Sequence, residues 1–96
     1  MTYDEFKSTL SHASPPEDLA KPLQALWWEA AKDWHKAHNI VQDLQNADAY
    51  WVHAYLHRVE GDLGNSNYWY HRAGREMPNI NLEAEWEHIV LALLAN

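Results

Sequence analysis

Apolar residues recur along this chain at spacings of three and four, and nowhere at a sustained spacing of two, so the pattern predicts helices and no sheet. Thr2 and Glu5 fit the S/T-x-x-E capping box around Tyr3, Phe6 and Leu10, which gives a first helix over about 2–12. The stretch from Ala13 to Asp18 holds Pro15 and Pro16 and ends it, because proline lacks an N–H and disfavours helix in the residue before it. Pro22 suits a first turn, and Leu23, Leu26, Trp27 and Ala30 then form one stripe over about 20–32. Asp33 reads as a turn, after which Trp34, Ala37, Ile40, Val41 and Leu44 carry a third helix to about Asn46. Asn46 or Asp48 caps a fourth, with Trp51, Tyr55 and Val59 on one stripe and Gly61 as its stop. Asp62 caps a fifth that carries Leu63, Ser66, Tyr70 and Ala73 and closes at Gly74. Beyond a loop with Pro78, Asn81 opens a last helix over about 82–95, with Leu82, Trp86, Ile89 and Leu93 facing inward and Val90, Leu91 and Leu94 widening that face.

The expectation is therefore an all-α domain of about six short helices, and 96 residues suit a single domain with one core. One self-similarity stands out, at a period of about 29: Lys32-Asp33-Trp34-His35-Lys36-Ala37 aligns with Gly61-Asp62-Leu63-Gly64-Asn65-Ser66, each a turn followed by a helix. With Tyr50 and Ala54 before the second turn and Ser66, Tyr70 and Ala73 after it, the chain resembles a degenerate tetratricopeptide-like helical repeat. In the first unit Ala25, Trp28, Ala37 and Val41 carry the match, while His53 and His57 stand where the repeat places Leu and Tyr. The runs Ala25-Leu26-Trp27-Trp28, Trp51 to Arg58 and Tyr68 to Gly74 also look like a group of small bacterial proteins of this type with no assigned activity. The resemblance implies two antiparallel helix hairpins, over about 20–46 and 47–74, between capping helices over about 2–12 and 82–95. It leaves the chemistry open.

Composition narrows the classes of function. A net charge of −7 is the wrong sign for nonspecific nucleic-acid or anionic-membrane binding. The absence of cysteine removes disulfides, thiolate metal sites and cysteine nucleophiles together. No basic, apolar leader and no segment of ~20 apolar residues is visible, so a cytoplasmic location is the default expectation. Six Trp and five Tyr in so short a chain read mainly as a way to fill a small core.

Three constellations remain as candidate sites. Trp51, Tyr55, Arg58 and Val59 form a stripe of the residue types that dominate binding hot spots, and in a tetratricopeptide-like unit it would face a groove that holds a protein or peptide partner. The alternative is that the two aromatics point into the core. Second, His53 and His57 lie four apart on one helix, within reach of one metal ion, with Glu60 a turn further on. A third ligand would come from His71 or His38, and a metal ion is the one cofactor the sequence admits. The sequence is not H-E-x-x-H, since Ala54 follows His53, so the general base of that motif is missing. Against the metal reading stands the ordinary one, in which these histidines fill partly buried repeat positions. Because one helix is not expected to turn both stripes inward equally, the directions of Trp51, His53, Tyr55 and His57 distinguish the two sites.

Third, Tyr68, Arg72 and Arg75 gather the main basic charge, an anion patch or else ordinary helix C-terminal charge. Glu83, Glu85, Glu87 and His88 read as a solvated face. Leu91 and Leu94 offer a homodimer patch. No phosphate loop, nucleophile elbow or apolar carboxylate pair is present to anchor an enzyme. The reading that follows is an interaction module with an aromatic groove, with a His-lined metal or small-molecule site and a self-associating structural protein as alternatives.

Overall fold

The computed structural model describes residues 1–96 and is all-helical, with six α-helices and no strand. They are α1 (Tyr3–Ser8, continued by a 3-10 turn at Thr9–Ser11), α2 (Lys21–Ala30), α3 (Trp34–Val41), α4 (Ala47–Glu60), α5 (Leu63–Arg72) and α6 (Leu82–Leu94). None is long and apolar enough to cross a membrane. The predicted starts hold because the caps do. Thr2 closes a complete capping box with Glu5, and Asn46 rather than Asp48 caps α4 by accepting from the Ala49 N–H at 2.8 Å. Asn81 accepts from the Ala84 N–H at 2.7 Å. The third helix ends five residues sooner than its periodicity suggests, at Val41 instead of Asn46, since Asn46 must adopt an extended backbone to cap α4.

The period of about 29 is a repeated turn. At the end of α2 the Asp33 N–H reaches back to the Trp28 carbonyl and Lys32 to that of Glu29, both at 2.9 Å. At the end of α4, Asp62 and Gly61 make the same pair of bonds to His57 and Arg58. The aspartate then caps the following helix in both cases, Asp33 on Lys36 at 3.1 Å and Asp62 on Asn65 at 3.2 Å. Past each turn a small buried residue, Ala37 or Ser66, lets the two helices of the pair close on one another. Ser66 adds a buried bond from its hydroxyl to the Ala54 carbonyl at 2.7 Å.

These two antiparallel pairs, α2 with α3 and α4 with α5, are the most closely packed neighbours, and α4 also touches α2, α3 and α6. It is the central helix. Every residue from Trp51 to His57 is buried, so the expectation that one stripe would face inward at the expense of the other fails: Trp51 and Tyr55 on one side and His53 and His57 on the other all lie inside. Around it pack Phe6, Leu26, Trp27, Val41, Tyr70, Ile89 and Val90. Indole N–H groups tie the layers together by donating across helices, Trp34 to the Leu56 carbonyl at 2.7 Å and Trp86 to the Leu26 carbonyl at 3.0 Å. Trp27 donates to the Thr9 hydroxyl at 3.1 Å and so fastens the N-terminal turn. Leu91 is 47% exposed, while Leu94 packs against the core edge.

The two turns differ in one respect. Gly61 takes its left-handed backbone, φ 85°, at no steric cost, whereas Lys32 is held at φ 69° with a side chain. Lys32→Gly should relieve ~1–2 kcal/mol of backbone strain against ~0.5–1 kcal/mol of added chain entropy. A net gain of about 0.5–1 kcal/mol in urea denaturation is expected.

Candidate functional site

The histidines of α4 meet a third from α3. His38 Nε2 lies 3.0 Å from His53 Nε2, and one nitrogen from each of His38, His53 and His57 falls within 4.8 Å of the others. Helical periodicity accounts for the pair, which stacks with ring centroids 4.9 Å apart, and the antiparallel crossing of α3 over α4 brings His38 edge-on to both rings. His71, the other candidate third ligand, is exposed and takes no part. It sits on the outward side of α5, the side opposite the buried Ser66 and Tyr70.

Each ring of the cluster has a defined neighbour. Trp34 stacks on His38 at 4.9 Å and 11°, and Trp69 stacks on His53 at 3.9 Å and 17°. Glu60 accepts from His57 Nδ1 at 2.6 Å, which leaves Nε2 as the unprotonated nitrogen of that ring, accepting from the Asn65 amide at 3.4 Å. Glu60 and Asp62 also form a more exposed group with His57. His53 Nδ1 is buried with no hydrogen-bond partner. Burial above all, then the neighbouring His38, His57 and Arg72, lowers the His53 pKa to about 3. Burial, with His57 next to it, likewise pushes His38 below its ordinary value. Both imidazoles are therefore neutral at neutral pH, and across their 3.0 Å contact one Nε2 donates and the other accepts.

The expected groove residues separate. Trp51 and Tyr55 are only 4% and 2% exposed, since α4 is covered on that side by α6. Trp51 lies beneath the Arg75 guanidinium, 3.3 Å from the ring centroid, at the edge of one small cleft, whereas Tyr55 and Val59 border a different one. Arg58 faces inward: it pairs with Glu85 Oε1 at 2.7 Å and donates to the Ile80 carbonyl. Glu85 is thus no part of a solvated face. It is 1% exposed and also accepts from the Tyr70 hydroxyl, so that one carboxylate joins α4, α5 and α6. Burial, followed by that hydrogen bond, raises the Tyr70 pKa. Nothing in the spacing of α6 signals this role, because Glu85 shares its first turn with Glu83.

The anticipated anion patch separates as well. The Arg72 guanidinium lies 4.4 Å over the Tyr50 ring and 4.9 Å from that of Trp69, and donates to the Tyr50 hydroxyl at 3.2 Å. Tyr68 is exposed beside it, while Arg75 sits apart over Trp51. Both cations are engaged by aromatic faces. A scan for protein families and searches of curated proteins and of solved structures find no match to this chain.

Two outcomes follow from these geometries. Arg58→Met leaves the Glu85 carboxylate buried without its cation and should cost about 3 kcal/mol, part of which a second change, Glu85→Gln, restores; a loss well under ~1 kcal/mol in denaturant titration would contradict the assignment. Between pH 7 and 5 the unfolded chain takes up a proton at position 53, near the ordinary histidine value of ~6.5, while the folded ring stays neutral down to about 3. The unfolded state then holds more protons, so stability falls as the pH is lowered, by at most ~1.4 kcal/mol per unit from this residue. His53→Gln should flatten that slope, measured as unfolding free energy at pH 7 and pH 5.

Proposed function

We propose that this protein binds a divalent transition-metal ion of the zinc type through His38, His53 and His57. The observation that carries the reading is the convergence of three imidazole nitrogens within 4.8 Å of one another on two packed helices. Zinc–nitrogen bonds of ~2.0–2.1 Å in tetrahedral geometry put ligand nitrogens ~3.3 Å apart, a spacing the 3.0 Å approach of His38 to His53 nearly meets. Two of the three rings are held neutral by burial, so a metal competes with no imidazolium there, and only the N–H shared between the two Nε2 atoms must shift to Nδ1. Glu60 on His57 Nδ1 is the carboxylate that commonly fixes the tautomer and orientation of a ligating histidine. Three imidazoles without thiolate suit zinc, nickel or copper(II), and leave a position for water or a further ligand. Glu60 is already used by His57, so metal binding is assigned here without a reaction.

Calorimetric titration with zinc and nickel tests the metal reading. One ion per chain should bind, His38→Gln should weaken it at least ~100-fold, and Glu60→Gln by ~10–100-fold. Absence of binding, or affinity unchanged in His38→Gln, would sink the proposal.

A further inference from the structure

On the face of α4 away from the histidines, a cleft of about 420 Å³ opens between α2, α4, the first turn of α6 and the end of the N-terminal turn. That volume lies within the range of small-molecule sites. Its walls are hydrocarbon: Leu10, Ala30, Val59, Leu82 and Trp86, with Tyr55 behind them. Into it projects one half-buried carboxylate, Glu29, with the exposed Glu83 at its rim. Glu29 makes neither of the chain's two salt bridges, and no hydrogen bond acts on its carboxyl. Burial raises its pKa, opposed by the charge of Lys32. The Tyr55 hydroxyl, which feels the same carboxylate, is turned to the Leu82 carbonyl instead.

The contrast with Glu85 is informative. That carboxylate, more deeply buried, has an arginine and a tyrosine hydroxyl on its two oxygens. An unpartnered carboxylate among hydrocarbon walls is unfavourable unless something brings a cation to it. Lys7 and Lys32, exposed at the rim, do not bond to Glu29, and their charge disfavours a ligand with a second cationic group.

We infer that this cleft binds a small monoamine, an alkyl- or arylammonium ion, with its ammonium on Glu29 and its hydrocarbon body against Val59, Leu82 and Trp86. The net charge of −7 favours approach of such a cation from solution. The inference is independent of the histidine cluster, which lies on the other side of α4.

Titrations of the 15N-labelled full chain followed by amide shifts, using hexylamine, hexanol and hexanoate at neutral pH, test it. Hexylamine should give saturable shifts around Glu29, Val59 and Leu82, with an affinity at least about tenfold above hexanol and hexanoate. Glu29→Gln, whose spectrum should otherwise match the wild type because the side chain bonds to no other residue, should bring the amine down to the level of the alcohol. Equal binding of amine and alcohol by the wild type, no saturable shift at these residues, or amine affinity unchanged in Glu29→Gln would each overturn the inference.

Discussion

A helix buried on every side must find partners inside the protein for the polar groups it carries, and α4 is such a helix from Trp51 to His57. Its backbone is satisfied by its own ladder, yet the Ala54 and Leu56 carbonyls accept additional bonds from Ser66 and Trp34, which draws α5 and α3 onto it from opposite sides. Its polar side chains are met in the same way, except at His53 Nδ1. His53 finds His38, His57 finds Glu60, and Arg58 finds Glu85. The arrangement of the surrounding helices follows from these demands as much as from apolar burial. Partners must arrive at fixed heights along α4, and a one-residue slip of any neighbour would strand a buried donor or acceptor at ~1–3 kcal/mol.

Much of this organisation can be read in the sequence, for local reasons. Caps, turns and stripes are short-range signals. Lys32-Asp33 and Gly61-Asp62 announce both interhelix turns, and the small residues Ala37 and Ser66 mark where helix pairs close. The candidate site is half legible, since His53 and His57 are four apart on one helix. The choice of His38 over His71 depends on which side of α3 and α5 meets α4, and no spacing within one helix determines that. Glu85 is hidden for the same reason. A glutamate in a first turn looks like a complement to the helix dipole, and its burial depends on Arg58 and Tyr70, distant in sequence and supplied by other helices. The aromatic stripe of Trp51 and Tyr55 has a groove-like composition, but α6 closes over it.

Charge and aromaticity are distributed by one rule. Cations lie on indole and phenol faces, as Arg72 does on Tyr50 and Arg75 on Trp51, so that a chain with few basic residues uses them to cover large rings. Carboxylates inside are either fully partnered, as Glu85 is, or border open space, as Glu29 does. His38 and His53 remain uncharged in the interior because burial penalises a proton there.

The stacking of Trp34 on His38 and of Trp69 on His53 has an optical consequence. An excited indole readily passes an electron to a cationic ring or to a redox-active ion in van der Waals contact, and a neutral imidazole is a poor acceptor. Trp34 and Trp69 therefore emit beside groups whose charge governs their brightness, while Trp27 and Trp86, bonded to Thr9 and Leu26, stack on none of the three clustered histidines. The protein thus carries an intrinsic fluorescent reporter of its histidine cluster, needing no label and no engineered residue.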